Sequence, residues 1–164
     1  MISRKLRINN RNFLKYKFFN SLFLGTSIGS IFTIYTPLEP SVYSIGGIIL
    51  AVGMLFVATL YSKILNINYF YKISLFVEFV ILSVIIAFLL FSFNYQIALL
   101  VYIGYQVTFM FGSFLMRGET LILKKDRILT LVDMAKQFGY LVGLLLSFLF
   151  YKVIEYQFQI IDNQ

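Results

Sequence analysis

The sequence predicts an all-α, polytopic membrane helical bundle of five transmembrane helices, and three observations carry that expectation. Hydrophobic residues make up 60% of the 164 positions and charged residues 13%, with a mean hydropathy of +0.85; soluble chains average about 25% charged residues. Apolar runs recur at close to the roughly 20 residues that cross a hydrocarbon core of about 30 Å. Between the last two runs lies a charged island, from Arg117-Gly118-Glu119 through Lys124-Lys125-Asp126-Arg127 to Asp133 and Lys136, which reads as a cytoplasmic turn. A helical membrane domain over 18–155 thus fills almost the whole chain, between a basic arm at 1–17 and a polar tail at 156–164.

Composition also excludes several classes of function. The chain has no Cys and no His, so it lacks disulfides, thiolate nucleophiles and the usual ligands of zinc, iron–sulfur clusters and haem. No cofactor and no metal are expected. The net charge of +7 is concentrated in Arg4, Lys5, Arg7, Arg11, Lys15 and Lys17, an arm without an acid. That arm reads as a topology anchor against anionic headgroups of the lipid bilayer, and no nucleic-acid partner is expected. The alternative is the n-region of a signal peptide, but Phe18 to Tyr35 is long for such a segment and Thr36-Pro37-Leu38-Glu39-Pro40 lacks a convincing small-residue cleavage site, so the segment is expected to belong to the mature protein.

The first span, 18–35, carries Asn20, Ser21, Thr26, Ser27, Ser30 and Thr33, which suits a helix facing protein or a polar cavity rather than lipid. Gly25 and Gly29, four apart, give it a flat strip for close helix packing. Two prolines around Leu38 and Glu39 leave a loop too short for structure of its own, so the first two helices read as a tight hairpin flanked by Tyr35 and Tyr43. The second span, 42–61, contains Gly46, Gly47, Ala51 and Gly53 and ends at Ser62-Lys63. A connector from Ser62 to Lys72, with Tyr69-Phe70-Tyr71, suits a cytoplasmic link with aromatics at headgroup depth.

The third span, 73–92, holds Glu78, roughly 10 Å inside it at 1.5 Å per residue. Tyr71, Ser74 and Glu78 share a stripe by their i, i+3, i+7 spacing. Phe93-Asn94-Tyr95 is a minimal outer turn before the fourth span, 97–116. There Gly104, Thr108 and Gly112 form a smooth ridge, with Tyr102, Gln106, Ser113 and Arg117 near the opposite side. Gln106 falls near mid-bilayer, where an unpaired amide is costly, so it requires a partner helix or water. After the island, Thr130 with Asp133 fits a capping-box variant opening a fifth span at 131–154, which carries a second small-residue ladder, Gly139, Gly143 and Ser147.

Charge on the loops orients these spans. The arm holds six Lys and Arg, the connector two and the island region five, so thirteen of the fourteen fall on one side and Lys152 alone on the other. A cytoplasmic N-terminus and an external C-terminus follow. Abundant Ile, Phe, Tyr, Asn and Lys suit an AT-rich bacterial gene, and the expected location is a bacterial inner membrane.

Over about residues 15–155 this order of features resembles the N-terminal half of a major facilitator superfamily transporter. The shared features are a long first helix, a tight outer turn, a basic connector after the second helix, and an Arg117-Gly118-Glu119 turn before a glycine-laddered fifth. The family's inner loop reads Gly-x-x-x-Asp-Arg/Lys-x-Gly; here Lys63 matches, while Ala58, Ser62 and Leu65 depart. Gly139-x-x-x-Gly143 resembles half of the antiporter signature, with Leu144 in place of its proline. The family half has six helices, and here five are read.

The resemblance implies that the first and fourth helices line a solute path, with Asn20, Thr26, Ser30, Tyr102, Tyr105 and Gln106 as candidates, and that Lys63, Arg117 and Glu119 form a cytoplasmic gate. The same hydroxyls and amides also serve as interhelical bonds, and Arg117 as a headgroup anchor. Glu78 is a candidate proton-coupling carboxylate, the alternative being a bond to Ser74 or reach to the interface. No enzyme is expected, because Glu78 is the one acid well inside a span and no serine has a lysine at comparable depth. The expected function is transport of a small solute. The alternative is a non-transporting subunit packed against a second membrane subunit or another copy of itself, a homo-oligomer that would cover the exposed small-residue ridges.

Overall fold

The computed structural model describes the backbone of residues 9–123 and 125–162, with their side chains apart from those of 31–33 and 158–162. Arg4, Lys5 and Arg7 of the arm, Lys124 of the island and the side chain of Thr33 lie outside the described residues. Every regular element among the described residues is an α-helix: α1 (Asn10–Ile34), α2 (Pro40–Thr59), α3 (Tyr61–Ile64), α4 (Ile67–Leu90), α5 (Tyr95–Met110), α6 (Gly112–Leu123) and α7 (Asp126–Asp162).

Four stretches are long and apolar enough to cross a membrane: Pro40–Thr59, Ile67–Leu90, Tyr95–Leu123 and Asp126–Gln157. Ile48, Leu55 and Phe56 on α2, Leu75, Phe79 and Leu89 on α4, and Phe148 and Leu149 on α7 are all exposed. Water would penalise so much outward apolar surface, whereas lipid accepts it, and helices satisfy their backbone groups internally. This is an integral membrane protein. α1, which contains the expected first span, has the length for a crossing at 25 residues and is not among the four.

Small polar side chains set the helix starts. Asn9 Oδ1 accepts from the N–H groups of Arg11 at 3.1 Å and Asn12 at 3.4 Å, so α1 begins inside the stretch read as a basic arm. Asn66 Oδ1 accepts from Asn68 and Tyr69 at 3.1 and 3.2 Å, and Asn94 Oδ1 from Ile97 at 2.9 Å. Pro40 occupies the first turn of α2, where its missing N–H costs nothing. The connector therefore shrinks to Leu65-Asn66, and Tyr69, Phe70, Tyr71 and Lys72 belong to α4.

The start of α7 corrects the capping-box reading. Thr130 lies inside the helix and its Oγ1 donates to the Asp126 carbonyl at 2.9 Å. The acid in the first turn is Asp126, which complements the positive helix end; Asp133 is two turns further on and pairs with Lys136 at 3.6 Å. Asp126 to Leu129 include no helix breaker, so nothing delays the helix to Thr130. The fourth span likewise runs past Met116: α5 and α6 are separated by one tightened turn at Phe111, whose N–H bonds to the Thr108 carbonyl at 3.2 Å. Thr108 Oγ1 back-bonds to Tyr105 O at 2.8 Å, a pattern that bends helices.

The chain divides into two compact units, one containing α2–α6 and the other α1 with α7. In the first, Gly46 of α2 meets Tyr102 of α5 and Gly53 meets Met110, so the two numberings rise together and the helices are parallel. α4 is antiparallel to α5 and α6, since Val84 meets Gly104, Phe76 lies 5.8 Å from Phe111 and Phe70 meets Gly118. In the second unit Phe18 and Leu22 meet Gly139, Gly25 meets Gly143 and Gly29 meets Ser147, so α1 and α7 are parallel.

Candidate functional site

Two polar-aromatic clusters form at opposite ends of the α2–α6 unit. At one end Tyr35, Tyr43 and Tyr102 stand mutually edge-on or tilted, with ring centroids 5.4–6.2 Å apart. Tyr43 OH donates to Tyr35 O at 2.9 Å and Tyr102 OH to Tyr43 O at 3.3 Å. Tyr102 is buried with Leu38 and Ala98. Of the expected path residues, Tyr102 is thus committed to this cluster, while Tyr105, one turn on, is half-buried with its ring 6.0 Å from Phe109.

Between the ends, Gln106 of α5 has its Oε1 enclosed and without a hydrogen-bond partner among the described residues. An enclosed amide oxygen left unpaired costs on the order of 1–3 kcal/mol. Glu78 of α4 is half-buried, as are Tyr71 and Ser74 of its stripe. The small-residue ridge is shorter than its spacing implies: Gly104 and Thr108 of α5 are buried, but Gly112 at the start of α6 is exposed and a Cβ there would meet nothing within 4 Å.

At the other end Arg117, Glu119 and Lys63 are arranged by helix geometry. Residues i and i+2 do not share a helix face, so Arg117 is exposed while Glu119 is buried at 3% exposure. The Arg117 guanidinium lies 5.6 Å from the centre of the Tyr61 ring, and that ring is 6.2 Å from Phe114. Gly118 between them is covered by the buried Phe70 ring. Lys63 is exposed in the last turn of α3. The residue that sequence reasoning missed here is Tyr61; its signal was an aromatic two positions before Lys63 at the end of an apolar run.

In the α1–α7 unit, the other path candidates are largely bonded. Thr26 Oγ1 donates to its own helix, at 3.1 Å to Leu22 O and 2.8 Å to Phe23 O. Ser30 Oγ donates to Thr26 O at 3.1 Å, and Ser147 Oγ of α7 reaches the same carbonyl at 2.9 Å. Asn20 is half-buried. Near the common N-terminal end, Lys17 is buried with its Nζ 5.4 and 5.1 Å from the rings of Phe13 and Tyr16.

Groups of three or more Asp or Glu that could hold a metal are absent among the described residues. Compared with known proteins, the chain matches no protein-family model, no curated protein and no solved structure.

Proposed function

We propose that this chain is a facilitator-type transporter half that moves a small solute, with α5 supplying polar contact in the membrane interior. The observation that carries this reading is Gln106, whose enclosed Oε1 has no partner among the described residues. An amide at that depth is stabilised by water or by a donor group of a passing solute. Within the α2–α6 unit, α2 runs parallel to α5 and α4 antiparallel to it, as alternate crossings would, and in the other unit the 25-residue α1 runs parallel to α7, which supports reading α1 as a fifth crossing. The parallel pairing of α1 with α7 also supports a common inner end for Arg11, Lys15, Lys17, Lys125, Arg127 and Lys136, with a cytoplasmic N-terminus and an external C-terminus in a bacterial inner membrane.

A second reading has its own observation. Thr26, Ser30 and Ser147 spend their hydroxyls on helix backbone and on the α1–α7 seam, which favours a non-transporting helical subunit that packs against another membrane protein. The two readings separate at Gln106. Because the chain has no cysteine, Gln106→Cys can be probed in intact vesicles without background. Transport predicts rapid modification by a charged, water-soluble methanethiosulfonate, while lipid-facing Ile103→Cys stays unmodified. A silent Gln106→Cys removes the path and leaves the subunit reading. Proton coupling through Glu78 is tested in proteoliposomes: Glu78→Gln abolishes proton-driven uptake, and undiminished uptake excludes it.

A further inference from the structure

One end of the α2–α6 unit presents three cations, two of them on tyrosine rings. Lys63 is exposed at the end of α3. Lys72, in the second turn of α4, has its Nζ 5.7 Å from the centre of the Tyr69 ring, and Arg117 has its guanidinium 5.6 Å from that of Tyr61. They share an end because the helices beneath them are joined there, through Tyr61 on Phe114 at 6.2 Å and Phe70 over Gly118. No acid occurs between Glu39 and Glu78, and Glu119 is buried. Within this unit the exposed charge at this end is therefore positive.

Just past these cations the flanks become apolar. Leu55 and Phe56 on α2, and Leu75 and Phe76 on α4, are exposed within one to three turns of Lys63 and Lys72. Cations over tyrosine rings, with exposed aliphatic and aromatic surface directly below, repeat the vertical order of a phospholipid, phosphate above acyl chain. We propose that Lys72 on the Tyr69 ring, Arg117 on the Tyr61 ring and the exposed Lys63 together bind the headgroup of an anionic phospholipid whose acyl chains lie along α2 and α4.

The chemistry favours that occupant over a zwitterionic one. Stacking on a ring leaves the guanidinium edge free to donate to a phosphate oxygen pair, and the two ammonium groups add charge. A choline or ethanolamine headgroup brings its own cation against these three. Each basic residue near an anionic surface contributes about fivefold to binding, so three cations give a preference of at least about tenfold even when partly screened.

The test uses the full chain in mild detergent, titrated with phosphatidylglycerol or phosphatidylcholine and read by native mass spectrometry. Phosphatidylglycerol is expected to bind at least about tenfold more tightly, and Lys63→Gln/Lys72→Gln/Arg117→Gln to lose most of that preference. Arg117→Lys and Tyr61→Phe retain it, and Tyr61→Leu loses part of it. Should the triple variant fail to fold, the exposed pair Lys63→Gln/Lys72→Gln is expected to show an intermediate loss. Equal binding of the two lipids overturns the proposal. So does an unchanged preference in a folded triple variant, or an equal loss in the control Lys125→Gln/Lys152→Gln, which would make the effect one of general charge. Displacement by glycerol phosphate at the lipid's own concentration also overturns it, by showing a free-phosphate site that needs no acyl chains.

Discussion

The two units solve the same problem, how to bring helices together in lipid, with opposite materials. In the α1–α7 pair, three of the four glycines face backbone: a methyl group on Gly25 would meet Tyr140 O, on Gly139 would meet Phe18 O, and on Gly143 would meet Leu22 O, while Gly29 faces the small Ser147 side chain. In the α2–α6 unit, glycine faces side chains: Gly46 receives Tyr102, Gly53 receives Met110, Gly104 receives Val84 and Gly118 receives Phe70. Lipid supplies no hydrophobic drive between helices, so association depends on contact area and on hydrogen bonds. A backbone seam obtains that contact by close approach, and it cannot yield locally. A side-chain socket obtains it by filling, and it can yield wherever the plug has a free rotamer.

The comparison breaks most visibly at Gly143. A Cβ there would press on Leu22 O, on Thr26 N at 2.8 Å and on Gly25 Cα at 3.0 Å, so the whole of α1 must move away. Gly143→Ala is expected to cost about 3 kcal/mol or more, above the ordinary range for overpacking. It should also lengthen the Ser147 bond to Thr26 O, now 2.9 Å. Circular dichroism melting in mild detergent should show a loss of about 6–12 °C, or the variant should fail to accumulate. A melting curve superimposable on the parent would mean that the two backbones do not meet.

Gly118→Ala comes next. The obstructing atom is Cδ2 of Phe70 at 2.6 Å, in a ring that is 1% exposed and has no room to swing, so a cost of about 1–3 kcal/mol is expected. Gly53→Ala meets only Met110, whose thioether is flexible, and should cost less than about 1 kcal/mol. If thermal stability ranks these two in reverse, socket rigidity is not what sets the cost. Ser147→Ala removes a hydroxyl bond across the α1–α7 seam and is expected to cost about 0.6 kcal/mol, with about 1.7 as a ceiling. A larger loss would make that seam a hydrogen-bonded interface rather than a packed one.

Much of this was legible in the sequence, for a reason the same comparison supplies. Apolar length and loop charge are read along the chain, and the helices follow them. The ladders Gly25-Gly29 and Gly139-Gly143-Ser147 were visible as surfaces for close approach, and they are mated with one another; which ladder pairs with which is a property of the fold and has no local signal. The boundaries were less legible because charge was taken for loop. Asp126 and Arg127 are compatible with helix and sit in the first turn of α7, while Asn9 and Asn66 were caps hidden in polar stretches. Among site residues, Gln106 was expected to need a partner and its Oε1 has none among the described residues. Tyr61 was missed because an aromatic at the end of an apolar run reads as interface, and only the placement of Arg117 gives it a role.

The least destabilisation is expected where neither material is used. Gly47 lies in the middle of α2 and a Cβ there would touch nothing within 4 Å, although it sits beside Gly46, which is filled by Tyr102. By spacing alone the two glycines look equivalent. Gly47→Ala removes backbone freedom from the unfolded chain at no steric cost, so it is expected to be neutral or to stabilise by about 0.5–1 kcal/mol. Gly46→Ala displaces the Tyr102 ring and weakens its 3.3 Å bond to Tyr43 O. Melting the two alanine variants side by side isolates the socket from the intrinsic preference of the helix. Equal destabilisation would mean that α2 uses Gly47 against a second surface, the outcome that a partner subunit on its lipid-facing side would produce.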